Sequence, residues 1–132
     1  MEIRRVVTGN AADGAATFVS DGAVPATHVF RNVPGFANAL VWSAEPGAPI
    51  PKAGTDPTAS VKSIVPAPGG TRFLIVRFPP DAVFGSPGFD PAAAGAETAA
   101  ALPGLAETFE HADPAMHTTE TIDYGVVLDG EI

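Results

Sequence analysis

Short apolar runs separated by glycine and proline recur along the whole chain. Fourteen glycines and fourteen prolines are spread through the 132 residues rather than clustered. This punctuation is typical of a multi-stranded β domain and disfavours long helices. The predicted strands are Ile3 to Thr8, Ala16 to Ser20, His28 to Asn32, Ala37 to Ser43, Val61 to Val65, Arg72 to Phe78, Met116 to Thr119 and Ile122 to Leu128.

The strongest of these patterns is RFLIVRF, which begins at Arg72 and lies between a Pro-Gly-Gly and a Pro-Pro sequence. In a strand, Phe73 and Ile75 share one face, while Leu74 and Val76 share the other. Because both faces are apolar, the pattern predicts a strand that is covered on both sides. The proline-rich stretch from Glu45 to Pro57 disfavours both helix and central strand, so we expect a surface loop there.

One helix is predicted, over residues 91 to 102. Asp90 is suited to cap its N-terminus, Pro91 fits the first helical position, and the sequence AAAGAETAAAL has high helix propensity. Pro103 and Gly104 should end it. In a chain otherwise composed of strands, we expect this helix to lie across one end of the β structure.

Composition and charge narrow the classes of function. The length fits one domain, and the absence of cysteine excludes disulfides, thiolate metal sites and thiol nucleophiles. All seven basic residues lie between Arg4 and Arg77, whereas ten of the fifteen acidic residues lie from Asp81 onward. This distribution argues against nucleic acid and anionic membranes as partners. With no signal-peptide pattern and no long apolar run, we expect a cytoplasmic protein.

The last part of the chain, MHTTETIDYGVVLDGEI, carries the most specific pattern. Apolar residues alternate along the predicted strand from Ile122 to Leu128, with Asp123 and Val127 on the opposite face. Asp129-Gly130 is a strong signal for a two-residue hairpin turn. Asp123 lies in an apolar strand, so its carboxylate should face either solvent or a polar cavity. In a cavity it could bind a metal, pair with His117 or act as a general base.

The segment HTTETIDYGVVLDGE resembles the first conserved motif of the cupin superfamily, which has the pattern His-x-His, three or four residues, Glu, six residues, Gly. Counting back from Gly130 places Asp123 at the family's Glu, Thr119 at its second His and His117 at its first His. The resemblance implies an all-β fold, a double-stranded β-helix or jelly-roll barrel, with the predicted helix as a cap. It also implies a homodimer.

Cupins typically hold Fe, Mn, Zn or Ni with three His and one Glu in an open barrel. The resemblance therefore implies a divalent transition metal on His117 and Asp123, which would be the catalytic residues, with Thr119 and Val127 contacting a small-molecule substrate. Two departures weaken the metal expectation. Thr119 and Asp123 replace the family's His and Glu, and the family's second motif has no counterpart in the chain. Two ligands are usually too few for a tight site.

Three classes of function consequently stay open. The first is a metal-dependent enzyme of the oxygenase, isomerase or decarboxylase type. The second is a non-catalytic module that holds a small organic acid or sugar, and the third is a structural or oligomerising β domain. We expect residues 1 to 132 to form a single cupin-like domain that is incomplete at its C-terminal end. A missing second half and a dimer of complementary fragments are the alternatives to simple truncation.

Overall fold

The computed structural model describes residues 1–48, 56–112 and 116–131, which form two antiparallel sheets and one α-helix. Three short 3-10 helices lie at Pro57–Ser60, Asp81–Val83 and Ala106–Thr108. The strands and the helix are β1 (Arg4–Asn10), β2 (Ala16–Ala23), β3 (Ala26–Val29), β4 (Ala37–Ala44), β5 (Thr71–Arg77) and α1 (Pro91–Ala101). The prediction of a strand-rich chain with one helix is confirmed. The described residues form no closed barrel, so the jelly roll stays a prediction.

The first sheet is the β1–β2 hairpin. Its turn is closed by a hydrogen bond from the Ala11 amide to the Ala15 carbonyl, and Gly14 there has a φ of +86°. Such a φ is unfavourable for residues with a Cβ atom, which accounts for glycine at this point. Side chains alternate between exposed and partly buried along β1, because only one face of the hairpin packs on the rest of the protein.

The second sheet has the strand order β3-β4-β5. β4 is central, and six of its eight residues are buried, because strands pair with it on both sides. β5 lies at an edge, and its Phe73 side chain is 57% exposed. The prediction that this strand is covered on both faces is therefore wrong for Phe73, because no layer of described residues packs over it.

Helix α1 begins as the sequence predicts. The Asp90 carboxylate accepts hydrogen bonds from the Ala92 and Ala93 amides, and Pro91 occupies the first turn. One buried cluster joins the helix to the β3–β4 connection and contains Phe30, Val33, Ala94 and Leu102. A second cluster, on the side of the hairpin, contains Val24, Ala39 and Val41. The sheet is thus packed against the helix region and against the start of the chain.

Three predicted strands are wrong for the described residues. Residues Val61 to Val65 form no ladder; instead, the Ile64 amide donates to the Pro103 carbonyl just beyond α1. The stretch Met116 to Thr119 makes one isolated bridge, and Ile122 to Leu128 has no strand assignment. Each lacks the neighbouring strand that a ladder needs.

No described helix combines the length and apolar character needed to cross a membrane.

Candidate functional site

His117 lies where the chain returns after α1. It forms an isolated antiparallel bridge with Phe109, and the two rings meet edge to face with centroids 5.5 Å apart. The backbone is fixed on both sides, because the Glu110 amide donates to the Met116 carbonyl and the Thr118 amide donates to the Thr108 carbonyl. The imidazole is nevertheless exposed. It is therefore held at a defined position while its ring remains accessible.

A chain of hydrogen bonds connects Thr119, Thr121 and Asp123. The hydroxyl oxygens of the two threonines are 2.6 Å apart, and the Thr121 hydroxyl donates to Asp123 Oδ1 over 3.1 Å. These hydrogen bonds hold the three polar groups next to one another across the bend at residues 120 and 121. Thr119 and Thr121 are partly buried, whereas Asp123 is exposed. The predicted site residues Thr119 and Asp123 are therefore linked through Thr121.

The remaining predicted site residue, Val127, is 55% exposed. The other large apolar side chains from Ile122 to Leu128 are more exposed than Val127.

Asp129-Gly130 forms a bend in which Gly130 has a φ of +78° and Asp129 has a negative φ. A type I′ hairpin turn requires positive φ at both central residues, so the predicted hairpin turn is wrong.

The described residues fit a metal poorly. Within the described residues, no three His, Asp or Glu side chains form a group that could hold a metal ion. His117 contacts Phe109, and Asp123 is hydrogen-bonded to a threonine. A transition-metal site usually needs at least three protein ligands. This arrangement gives no basis for a metal-dependent reaction step.

Sequence reasoning missed a cavity of about 390 Å³ beside the hairpin, lined among others by Arg5, Asp21, Trp42 and Asp56. The Arg5 guanidinium forms an ion pair with Asp56 and donates to the Val41 carbonyl, and it lies 5.6 Å from the centre of the Trp42 ring. These contacts join β1 to β4. The sequence does indicate that Arg5 faces inward. Arg5 lies two positions from both Ile3 and Val7, and side chains two positions apart face the same side of an extended chain.

Electrostatics in this cavity are dominated by the Arg5–Asp56 pair. The hydrogen bond from Arg5 is the main reason that the pKa of Asp56 falls to about 2, and the hydroxyl and amide of Thr58 contribute in the same direction against desolvation. The Arg5 side chain is 9% exposed, so its charge is largely removed from water and depends on this partner.

A second missed cluster is centred on Glu97 of α1. Its carboxylate accepts hydrogen bonds from the Arg31 amide and from both the amide and the side chain of Asn32. It also lies 3.0 Å from His28 Nε2. The Arg31 amide contributes most to lowering the pKa of Glu97 to about 2. No sequence pattern predicts this cluster, because the helix brings Glu97 to residues more than sixty positions earlier.

Comparison of the chain with protein-family models, with curated protein sequences and with solved structures gives no match. The assignment of function therefore depends on the chain's own residues and their geometry.

Proposed function

We propose that the protein is a cupin-like domain that binds a small organic molecule, with His117, Thr119, Asp123 and Val127 on the wall of its binding site. The observation that carries the proposal is the spacing of His117, Thr119, Asp123 and Gly130, which follows the cupin motif apart from the two substituted ligands. The hydrogen-bonded series Thr119, Thr121 and Asp123 supports it, because it brings three polar groups together at the start of an apolar segment.

The chemistry available to these residues is recognition by hydrogen bonding. Asp123 accepts hydrogen bonds when ionised, the threonine hydroxyls can donate or accept, and His117 can do either according to its tautomer. The apolar residues around them supply contact area. This combination suits a small polar ligand such as an organic acid or a sugar. The degenerate motif favours such binding over metal-dependent catalysis, since the usual set is three His and one Glu and the chain offers at most His117 and Asp123.

Thermal unfolding in the presence of small carboxylic acids and monosaccharides tests the proposal. We expect at least one compound to raise the Tm, and the rise should disappear in Asp123→Asn. The matched control is Asp21→Asn, which changes an acidic residue that lines the cavity beside Arg5. Loss of the effect in the control but not in Asp123→Asn would place the ligand beside Arg5 and refute the proposed site.

Elemental analysis separates the enzyme class from the binding class. A stoichiometric transition metal that is lost in His117→Ala but kept in His111→Ala would favour a metal-dependent enzyme; His111 is an exposed histidine six residues away. Absence of metal together with a ligand-dependent rise in Tm would favour the binding module. Absence of both would leave the structural or oligomerising domain.

A further inference from the structure

The chain exposes far more surface than a folded monomer of its size should. Its accessible surface is 9318 Å² for 13.4 kDa, whereas a compact monomer of that mass exposes about 6,500 Å². The excess of about 2,800 Å² is larger than the roughly 800 Å² that each partner contributes to a standard protein interface. A stable association therefore has enough surface available to it.

Five of the twelve exposed large hydrophobic side chains among the described residues belong to the docking segment, which we define as residues Ile122 to Leu128. The exposed fractions of its large side chains are 84% for Ile122, 93% for Tyr124, 80% for Val126, 55% for Val127 and 77% for Leu128. The segment has no ladder partner among the described residues. An apolar, β-branched run with unpaired backbone groups is the kind of segment that adds to the edge of a sheet.

The outer edge of β5 is a matching acceptor. β5 has seven residues, as does the docking segment, and it pairs with β4 on one side only in the described part of the chain. Phe73 on this strand is 57% exposed, and Phe78 directly after it is 61% exposed. The acceptor edge thus offers both free backbone groups and apolar side chains.

Charge favours β5 over the other edges. β5 contains no acidic residue and two arginines. Arg72 pairs with Glu45, whereas Arg77 makes no salt bridge with a residue that the structure describes. The docking segment contains Asp123 and no basic residue, and Asp129 and Glu131 follow it directly. In the hairpin, by contrast, Arg4 and Arg5 already pair with Asp21 and Asp56. β3, the other edge of the same sheet, has only four residues.

We propose that the docking segment of one chain adds as a strand to the β5 edge of a second copy, and that the exchange is reciprocal. Each chain carries both the segment and the edge, so two equivalent contacts related by a twofold axis close a dimer and leave neither element unpaired. The docking segment shares Asp123 and Val127 with the proposed binding site. Dimerisation is measured without a ligand, so failure of the interface and failure of ligand binding are distinguishable.

Oligomeric state is measured first, by light scattering during gel filtration over a range of concentrations. We expect a dimer. The double variant Val126→Pro/Val127→Pro removes two consecutive backbone donors, of which one must face the partner strand, and should weaken the dimer by at least about 100-fold. The control Val126→Thr/Val127→Thr keeps the β-branched shape and both amides, and should remain dimeric. A monomeric wild type, open-ended polymers, or equal dimerisation by both variants would overturn the proposal.

Cross-linking then identifies the contact. The chain has no cysteine, so Phe73→Cys in one preparation and Val126→Cys in another introduce one thiol each. A disulfide between the two different variants forms only between chains, and we expect it after mixing and mild oxidation. Ser20→Cys, on the exposed face of β2, is the control and should not cross-link with Val126→Cys. No difference between Phe73→Cys and Ser20→Cys would refute docking at β5.

Discussion

β4 and the docking segment have comparable sequences and opposite surroundings. Both combine aliphatic and aromatic residues over seven or eight positions, as in ANALVWSA and IDYGVVL. In β4, neighbouring strands pair on both sides and six residues are buried. In the docking segment, every residue is exposed and no described strand pairs with it. The same kind of pattern thus gives a central strand only where the chain supplies neighbours on both sides.

The largest effect should come from truncating one side chain in each region. Leu40 in β4 is 4% exposed and Ile122 is 84% exposed. Leu40→Ala should lower the free energy of unfolding by about 2–5 kcal/mol, because it leaves a cavity. In the monomer at high dilution, Ile122→Ala should change it by no more than about 0.5 kcal/mol. Denaturant unfolding followed through Trp42, the single tryptophan, measures both; similar losses would show that the docking segment packs on its own chain.

Two glycines with positive φ make the second comparison. Gly104 (φ +83°) and Gly130 (φ +78°) have similar backbones, but a Cβ on Gly104 would lie 2.0 Å from Ser63 Oγ, whereas one on Gly130 would meet nothing within 4 Å. Gly104→Ala should therefore cost about 2–4 kcal/mol from clash and backbone strain together. Gly130→Ala should scarcely change global unfolding, because its strain is confined to an unpacked segment. Equal costs in a urea titration would contradict this difference.

These pairs show what could be predicted from the sequence. The short apolar runs that predict β1, β2, β4 and β5 and the Asp90–Pro91 cap of α1 are local signals, and the structure bears them out within a few residues. Strand formation at Ile122 to Leu128 depends on a partner that the local pattern does not specify. The Glu97 cluster depends on the approach of α1 to the β3–β4 connection, so no local pattern contains it.

The candidate site, too, could be predicted from the sequence only in part. The motif identified His117, Thr119 and Asp123 by spacing, and two of them are linked through Thr121. Parity along a strand predicts that such residues share a side, but it does not predict which more distant residues face them. The same holds for Arg5. Its spacing from Ile3 and Val7 predicts that it faces inward, but no local pattern predicts that Asp56 is its partner.

Two carboxyl groups, Glu97 on the helix side and Asp56 beside the hairpin, have pKa values lowered to about 2, and Glu97 starts from the higher ordinary value. The pKa of Glu97 is about 2 in the folded protein and 4.5 without its contacts. Its stabilisation is therefore complete above pH 4.5 and is lost as the pH falls from 4.5 towards 2. The carboxylate side chain is 12% exposed, and Glu97→Gln should cost about 2 kcal/mol at neutral pH and flatten the stability profile over that range. The exposed Glu107→Gln should leave the profile unchanged; an unaltered slope in Glu97→Gln would contradict the assignment.

The smallest effects should come from removing one hydroxyl in each region. Thr58 is 5% exposed, and its hydroxyl donates to Asp56 over 2.6 Å. Thr58→Val leaves that partly buried carboxylate without one of its donors and should cost about 1–2 kcal/mol. Thr121 also has two hydroxyl contacts, at 2.6 and 3.1 Å. Thr121 is only partly buried and is followed by exposed residues, so water can replace these contacts and Thr121→Val should cost less than about 0.5 kcal/mol. If calorimetry gave Thr121→Val the larger loss, the hydrogen-bonded series at the candidate site would be part of the cooperative fold.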